Sequence, residues 1–215
     1  MSLNPTLTRL DHMICDLLEH RAGIVEELVN ELPPVVNSAF VVPLKSEGRF
    51  QAAAYDQFAP NIMLGFQQSE KSAIFVEQVK KTDPVLSPPD HNYMLSVSLD
   101  NVATSPWVSL ERILPPSLSG QMRLTVALNA MVSAPCHIRV ALILPQKGKG
   151  PKLHALGTVD ITKVGKFTHE CISGEIDLRN VEIPDGFPPK LALFLPERNG
   201  LKLTFAMFSL FFSDI

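Results

Sequence analysis

Apolar and polar residues alternate along two neighbouring segments of the chain, Gln121–Val132 and Cys136–Leu144. An alternation with a period of two residues predicts β-strands that each bury one face. The residues between them, Ser133–Pro135, include a proline, which has no N–H to donate to a ladder. A connection this short between two such strands predicts an antiparallel hairpin.

The predicted hairpin carries polar side chains on the face turned away from its aliphatic side. If the turn centres on Ala134, Asn129 lies opposite Arg139 and Met131 lies opposite His137. Side chains of these types can hydrogen-bond sugar hydroxyls or an acidic sugar. The predicted ligand-binding residues are therefore Arg123, Asn129, His137 and Arg139. The alternative is an ordinary solvated face, because antiparallel sheets commonly expose one side.

Further short apolar segments, bounded by Gly, Pro, Asn or charged residues, are typical of β-strands. They are Ala39–Leu44, Phe50–Tyr55, Ile62–Phe66, Ala73–Val79, Met94–Leu99, Trp107–Ile113, Leu153–Ile161, Lys166–Leu178, Leu191–Leu195 and Leu201–Phe212. Many short strands separated by turn residues predict a mainly β protein, an antiparallel jelly-roll-like β-sandwich. The glycine- and lysine-rich segment Gln146–Lys152 is interpreted as a solvated loop.

Two of these segments change the parity of their apolar residues. In Lys166–Leu178 the change falls around Gly174, which predicts a β-bulge. In Leu201–Phe212, Leu203 and Phe205 give way to Phe208 and the residues after it, so both sides of the strand are apolar. Such a strand needs cover on both faces and is expected at the centre of a sheet, or beneath a helix or another subunit.

The N-terminal region predicts an amphipathic helix over residues 1–34, with apolar positions at steps of three and four before Pro33 and Pro34. It either docks on the β domain or pairs with copies of itself. Residues 35–81 are expected to form a small β region that could join the same sandwich. Residues 82–92 are interpreted as a Pro-rich linker or loop, and residues 93–215 as the main sandwich.

Composition narrows the classes of function. The 215 residues carry a net charge of -3 without a basic stripe, which argues against a nucleic-acid partner. No apolar run is long enough to span a bilayer, and no signal peptide is expected. The sequence contains no phosphate-binding loop, nucleophile elbow, dinucleotide fingerprint or zincin helix, so we expect neither an enzyme nor a cofactor.

Two groups of residues have side chains that could bind a metal, and neither group is predicted to hold one. Cys136, His169 and Cys171 could converge on zinc, but a fourth ligand is missing; alternatively, the two cysteines could form a disulfide. Asp100 and Asn101 could meet Asp214 to bind calcium if the first and last strands pair, although calcium needs more oxygen ligands. The three cysteines of the chain are interpreted as free thiols.

The aromatic and acidic residues give little support for a sugar-processing site. Trp107 alternates with core positions and is expected in the core rather than as a sugar-stacking surface. Glu175 and Asp177 share one face of one strand, a spacing that is also typical of a solvated edge. Glycoside hydrolysis, which needs carboxyl groups facing each other across a cleft, is therefore not predicted.

From about Tyr93 to Ile215, the strand pattern resembles galactose-binding-like jelly-roll domains of the carbohydrate-binding-module type. The resemblance rests on the strand Leu191–Leu195 with Pro196 and on the closing segment Leu203–Phe212. It implies a non-catalytic, lectin-like module with a glycan ligand, within a larger protein or assembly. The alternative is a structural protein that forms homo-oligomers through the N-terminal helix and the C-terminal strand.

Overall fold

The computed structural model describes residues 40, 44, 48–81, 93–102, 105–115, 118–179, 181–184 and 186–214. All of them belong to the unit Val36–Ile215, the second of two compact units of the chain. The predicted helix at residues 1–34 and the predicted linker at residues 82–92 lie outside the described residues, as does most of the predicted strand Ala39–Leu44. In the part of the chain that is described, no helix is long and apolar enough to cross a membrane.

The described residues form twelve strands: β1 (Arg49–Gln51), β2 (Gln57–Ala59), β3 (Ile62–Phe66), β4 (Ala73–Lys80), β5 (Tyr93–Asn101), β6 (Val108–Ile113), β7 (Gln121–Val132), β8 (Cys136–Gln146), β9 (Lys149–Ile161), β10 (Thr168–Asp177), β11 (Lys190–Leu195) and β12 (Leu201–Asp214). Sheet A has the order β1-β4-β5-β12-β7-β10, and sheet B has the order β2-β3-β6-β11-β8-β9. The named strands pair antiparallel throughout. The predicted two-sheet antiparallel sandwich is confirmed.

Strand β12 is central in sheet A, between β5 and β7, as the apolar character of both its faces predicts. Its pairing with β7 shifts register between Phe205 and Met207, where the sequence changes parity. This irregularity turns both Phe205 and Phe208 into the core, where each is fully buried. The central strand therefore contributes large aromatic side chains to the interior on either side of the shift.

The predicted hairpin of β7 and β8 is wrong. Strand β7 pairs with β10 and β12 in sheet A, whereas β8 pairs with β9 and β11 in sheet B. The connection crosses the sandwich at Ser133, whose amide donates to the Lys202 carbonyl and whose hydroxyl accepts from the Lys202 amide, each at 2.9 Å. The aliphatic sides of the two strands thus belong to facing sheets. Alternation fixes which side chains are buried, but it does not choose the partner strand.

The β-bulge predicted at Gly174 is also wrong, because β10 pairs with β7 in unbroken register from Thr168 to Asp177. The glycine has a different role at the closed side of the sandwich, where β9 and β10 meet. A Cβ atom at Gly174 would lie 2.7 Å from Leu156 Cδ2, so the missing side chain makes room for Leu156. Cys171 faces outward, which explains the change in parity.

The predicted strand boundaries differ most from those of the structure around turns. The predicted loop Gln146–Lys152 is in fact the end of the β8–β9 hairpin, with its turn at Lys147 and Gly148. Pro151 is tolerated within β9 because β9 is an edge strand, where one row of backbone groups needs no ladder partner. The predicted strand Phe50–Tyr55 is shorter and shifted, and β2 was not predicted.

We predict that Phe205→Ala lowers the free energy of unfolding by about 3–5 kcal/mol, because it leaves a cavity in a fully buried site. The matched control is Phe187→Ala, which removes the same side chain from a position that is 66% exposed. This control is expected to change stability by less than about 0.5 kcal/mol. Urea unfolding measures both, and equal effects would contradict the assignment of the core.

Candidate functional site

The four predicted ligand-binding residues do not share one face. Arg123 and Asn129 are on β7, on the outer face of sheet A, whereas His137 and Arg139 are on β8, on the outer face of sheet B. The inner positions of the same strands, Leu124 and Ile138 among them, form the core between the two sheets. The predicted single polar surface is therefore corrected to two surfaces on opposite sides of the sandwich.

On sheet A, Arg123 lies beside an acidic partner on β10: its Nη2 atom is 3.2 Å from Glu175 Oε1. Asn129 is in register with His169 of the same strand. Both members of the Arg123–Glu175 pair are more than half exposed, so the pair is an ordinary cross-strand ion pair at the surface.

On sheet B, His137 Nδ1 is 2.5 Å from Asp160 Oδ1 on β9. Arg139 stacks on an aromatic ring of β11, with its guanidinium carbon 5.2 Å from the centre of the Phe194 ring. Both contacts join β8 to its two neighbouring strands. Within the described residues, Arg139 contacts a ring rather than a carboxylate, which leaves the edge of its guanidinium group for other partners.

The outer face of sheet B, which we call the B face, has a low centre. Registers between its strands align Met63, Glu111, Ala192, Ala141 and Ala155 in one row across β3, β6, β11, β8 and β9. Three of these residues are alanines, so the side chains of this row are smaller than those of the rows on either side. The next row contains Gly65, Ser109, Phe194, Arg139 and Thr158.

Glu111 is the unusual residue of the B face, because its charged side chain is only 4% exposed. Its carboxylate accepts a hydrogen bond from Ser109 Oγ at 2.8 Å through Oε1 and another from Lys190 Nζ at 2.9 Å through Oε2. A buried carboxylate is tolerated when it is paired and hydrogen-bonded in this way. Loss of either donor would leave charge in a site largely removed from water.

Gly65 makes the position of this carboxylate sterically feasible. A Cβ atom on Gly65 would lie 2.2 Å from Glu111 Oε1 and 2.7 Å from Ser109 Oγ. The side chains of Glu111 and Ser109 therefore fill the space above a glycine on the neighbouring strand β3. Any side chain at position 65 would have to displace them.

Lys190 connects the buried carboxylate to the surface. Its ammonium group lies 3.7 Å from Met63 Sδ and 5.3 Å from the centre of the Tyr55 ring, in addition to its bond to Glu111. The Lys190 side chain is 26% exposed, and Tyr55 is 47% exposed. A cation held between a carboxylate and a ring is restricted in position, yet it can still present an N–H group to the surface.

Cys136, His169 and Cys171 do not come together as a zinc site, and Cys136 and Cys171 do not form a disulfide. Cys136 is buried on the inner side of sheet B, whereas His169 and Cys171 lie on the outer face of sheet A. His169 Nε2 and Cys171 Sγ are 3.7 Å apart, and neither Cys136 nor Cys171 forms a disulfide. Burial raises the pKa of the Cys136 thiol. Among the described residues, no group of three or more His, Cys, Asp or Glu side chains could hold a metal ion.

The calcium constellation fails for a topological reason. The first residues of β12, not its last, lie beside the end of β5, because Leu201 is in register with Leu99. Asp214, at the other end of β12, is therefore distant from Asp100, whose carboxylate pairs with Arg49. Trp107, expected in the core, is partly exposed and does not belong to the core cluster.

The comparisons with known proteins establish the fold alone. A scan against protein-family models and a search of curated proteins both gave no match. Among solved structures, the Stig cyclase Fisc from Fischerella sp. TAU, in complex with (3Z)-3-(1-methyl-2-pyrrolidinylidene)-3H-indole, has a TM-score of 0.53 at 14% identity, covering 84% of this chain and 96% of that chain. A candidate sugar-binding protein from Bacteroides thetaiotaomicron VPI-5482 has a TM-score of 0.50 at 9% identity, covering 81% and 97%.

Carbohydrate-binding modules are also among the similar structures. The CBM22-1 xylan-binding domain from Paenibacillus barcinonensis Xyn10C has a TM-score of 0.47 at 10% identity, covering 69% of this chain and 85% of that domain. The chain spans 19% of the bacteriophage CBA120 tailspike chain that it also matches. The resemblance is confirmed at the level of the fold, which this chain shares with the cyclase and with the candidate sugar-binding protein.

Sequence reasoning missed Glu111, Lys190, Tyr55 and Phe194. Only one signal was available: two adjacent charged residues, Glu111 and Arg112, in the short strand β6. The partners of Glu111 lie 46 residues upstream at Gly65 and 79 residues downstream at Lys190, and only the order of strands in sheet B brings them together.

We predict that Gly65→Ala lowers the free energy of unfolding by about 1–3 kcal/mol, because the added methyl group displaces a buried, hydrogen-bonded carboxylate. In a Glu111→Ala background the added methyl group meets less obstruction. We expect Gly65→Ala to lower the free energy of unfolding clearly less in that background. A double-mutant cycle by urea unfolding measures this coupling. If Gly65→Ala lowered the free energy of unfolding equally in both backgrounds, the close approach of the Glu111 carboxylate to position 65 would be contradicted.

Proposed function

We propose that the protein is a non-catalytic carbohydrate-binding module whose ligand lies on the B face. The observation that carries this proposal is the half-exposed ring of Tyr55 beside the ammonium group of Lys190, which the buried carboxylate of Glu111 holds in place. Sugar rings offer both apolar C–H surfaces and hydroxyl groups. An aromatic ring next to a fixed N–H donor suits both.

The arrangement of small and large side chains on the B face supports the same proposal. Ala192 and Ala141 leave a low strip between Lys190 on one side and the stacked pair of Arg139 and Phe194 on the other. Ala192 and Ala141 are almost fully buried, so a ligand on this strip would contact the larger groups on either side of them. One ligand would then contact His137, Arg139 and the group formed by Glu111, Lys190 and Tyr55. Any role of Arg123 and Asn129 would be separate, because they lie on sheet A.

Binding is proposed rather than catalysis because the acidic groups of the B face are already engaged. Glu111 accepts from Lys190 and Ser109, and Asp160 pairs with His137. The fold is compatible with either activity, since it is shared with a cyclase and with a candidate sugar-binding protein. The candidate sugar-binding protein, which shares the fold, supports a glycan as the ligand of this chain as well.

Assembly into homo-oligomers remains a prediction. Strand β12 pairs with β5 over Leu201–Phe205 and with β7 over Leu203–Asp214, so both of its edges are occupied near its start. Its outer side is also largely covered, since Thr204, Ala206 and Met207 are buried. Backbone pairing with a second copy is therefore blocked near the start of β12.

A screen of purified protein against a broad panel of polysaccharides tests the proposal. We expect specific binding, weakened at least tenfold by Tyr55→Ala, which corresponds to about 1.4 kcal/mol of lost interaction. The control is Arg123→Ala, which removes an exposed cation from the opposite sheet and is expected to leave binding unchanged.

Absence of binding across the panel would overturn the proposed function. Binding that is lost in Arg123→Ala but kept in Tyr55→Ala would place the site on sheet A instead. Urea unfolding of both variants confirms that they are folded, and both positions are sufficiently exposed to tolerate truncation.

A further inference from the structure

We propose that the B face selects anionic polysaccharides, with Arg139 as the residue that recognises the carboxylate or sulfate group of the sugar. This inference rests on the proposed function, because it names the ligand class of the same site. It depends on an imbalance of charge on the B face that the composition of the chain, with its net charge of -3, does not predict.

The other cationic or protonatable groups near the centre of the B face have acidic partners. Lys190 is bonded to Glu111 at 2.9 Å, and His137 lies 2.5 Å from Asp160. Arg139 is different: among the described residues it has no acidic partner, and its contact is with the ring of Phe194. The nearby carboxylate on β9, Asp160, is already engaged by His137.

The stacking on Phe194 prepares Arg139 for an oxyanion. The ring covers one face of the guanidinium group and restricts its plane, at a distance of 5.2 Å. The N–H groups of a guanidinium lie along its edge and match two oxygens of a carboxylate in a bidentate pair. Arg139 is exposed, so a ligand can reach this edge without any rearrangement of the sheet.

Arg139 and Lys190 are placed to act on one extended ligand. Arg139 is in register with Phe194, and Phe194 and Lys190 are four residues apart on β11, a distance of about 13 Å at ~3.3 Å per residue. The small residues Ala192 and Ala141 lie between them. A short oligosaccharide that lies across this strip, from Lys190 to Arg139, can therefore meet a neutralised ammonium at one end and an uncompensated guanidinium at the other.

The test compares ligands that differ in charge alone: polygalacturonate with its fully methyl-esterified form, and dextran sulfate with dextran. We expect the native protein to bind at least one charged ligand at least tenfold more tightly than its neutral counterpart, with affinity falling as sodium chloride rises. Arg139→Gln is expected to remove most of this preference. The matched control, Arg123→Gln, alters an arginine on the opposite sheet that is already paired with Glu175 and should keep the preference.

The outcomes separate this inference from the proposed function. Equal affinity for charged and neutral forms would overturn the inference and keep the function, whereas no binding to any polysaccharide would overturn both. Preference for polygalacturonate or for dextran sulfate identifies the group as carboxylate or sulfate, and either supports the inference. Equal binding to polyglutamate, which carries carboxylates without sugar rings, would overturn it, as would an unchanged preference in Arg139→Gln.

Discussion

Each strand of the sandwich must bury one parity of its side chains against the opposite sheet, and the rest of the structure depends on this constraint. Burial of the inner residues removes a large apolar area from water, the dominant favourable contribution to folding. The outer residues are then free to vary in chemistry, because the inner ones carry the fold. Strand β12 shows the constraint most clearly: its register shift between Phe205 and Met207 turns a second set of aromatic residues inward.

One residue of the B face does not follow this separation of buried inner residues from exposed outer residues. Glu111 occupies an outer position, yet it is almost fully buried, since Ser109, Lys190 and the space above Gly65 accommodate its carboxylate. The burial of this charge fixes the position of Lys190 beside Tyr55. Buried, fully partnered polar groups restrict the geometry around them. In the proposed function, this cluster is the fixed end of a sugar-binding surface and Arg139 is its charge-selective end.

The sequence predicted strands better than it predicted their partners. Ile62–Phe66 and Gln121–Val132 were predicted with the bounds that the structure has, because alternation and turn residues are local signals. The pairing of β7 and β8 was wrong since a hairpin and a crossing between sheets bury the same parity. The error divided the predicted site, leaving Arg139 and His137 on one surface and Arg123 and Asn129 on another. Glu111 and Lys190 could not be joined from sequence, because their contact requires the order of strands in sheet B.

The central claim is that a glycan binds on the outer face of sheet B. Mapping amide chemical shifts by NMR during titration with a bound oligosaccharide tests this claim directly. We expect the largest changes to cluster on β6, β8 and β11, around Ser109, Arg139 and Lys190. Changes clustered on β7 and β10, around Arg123 and Asn129, would contradict it and would assign the ligand to sheet A.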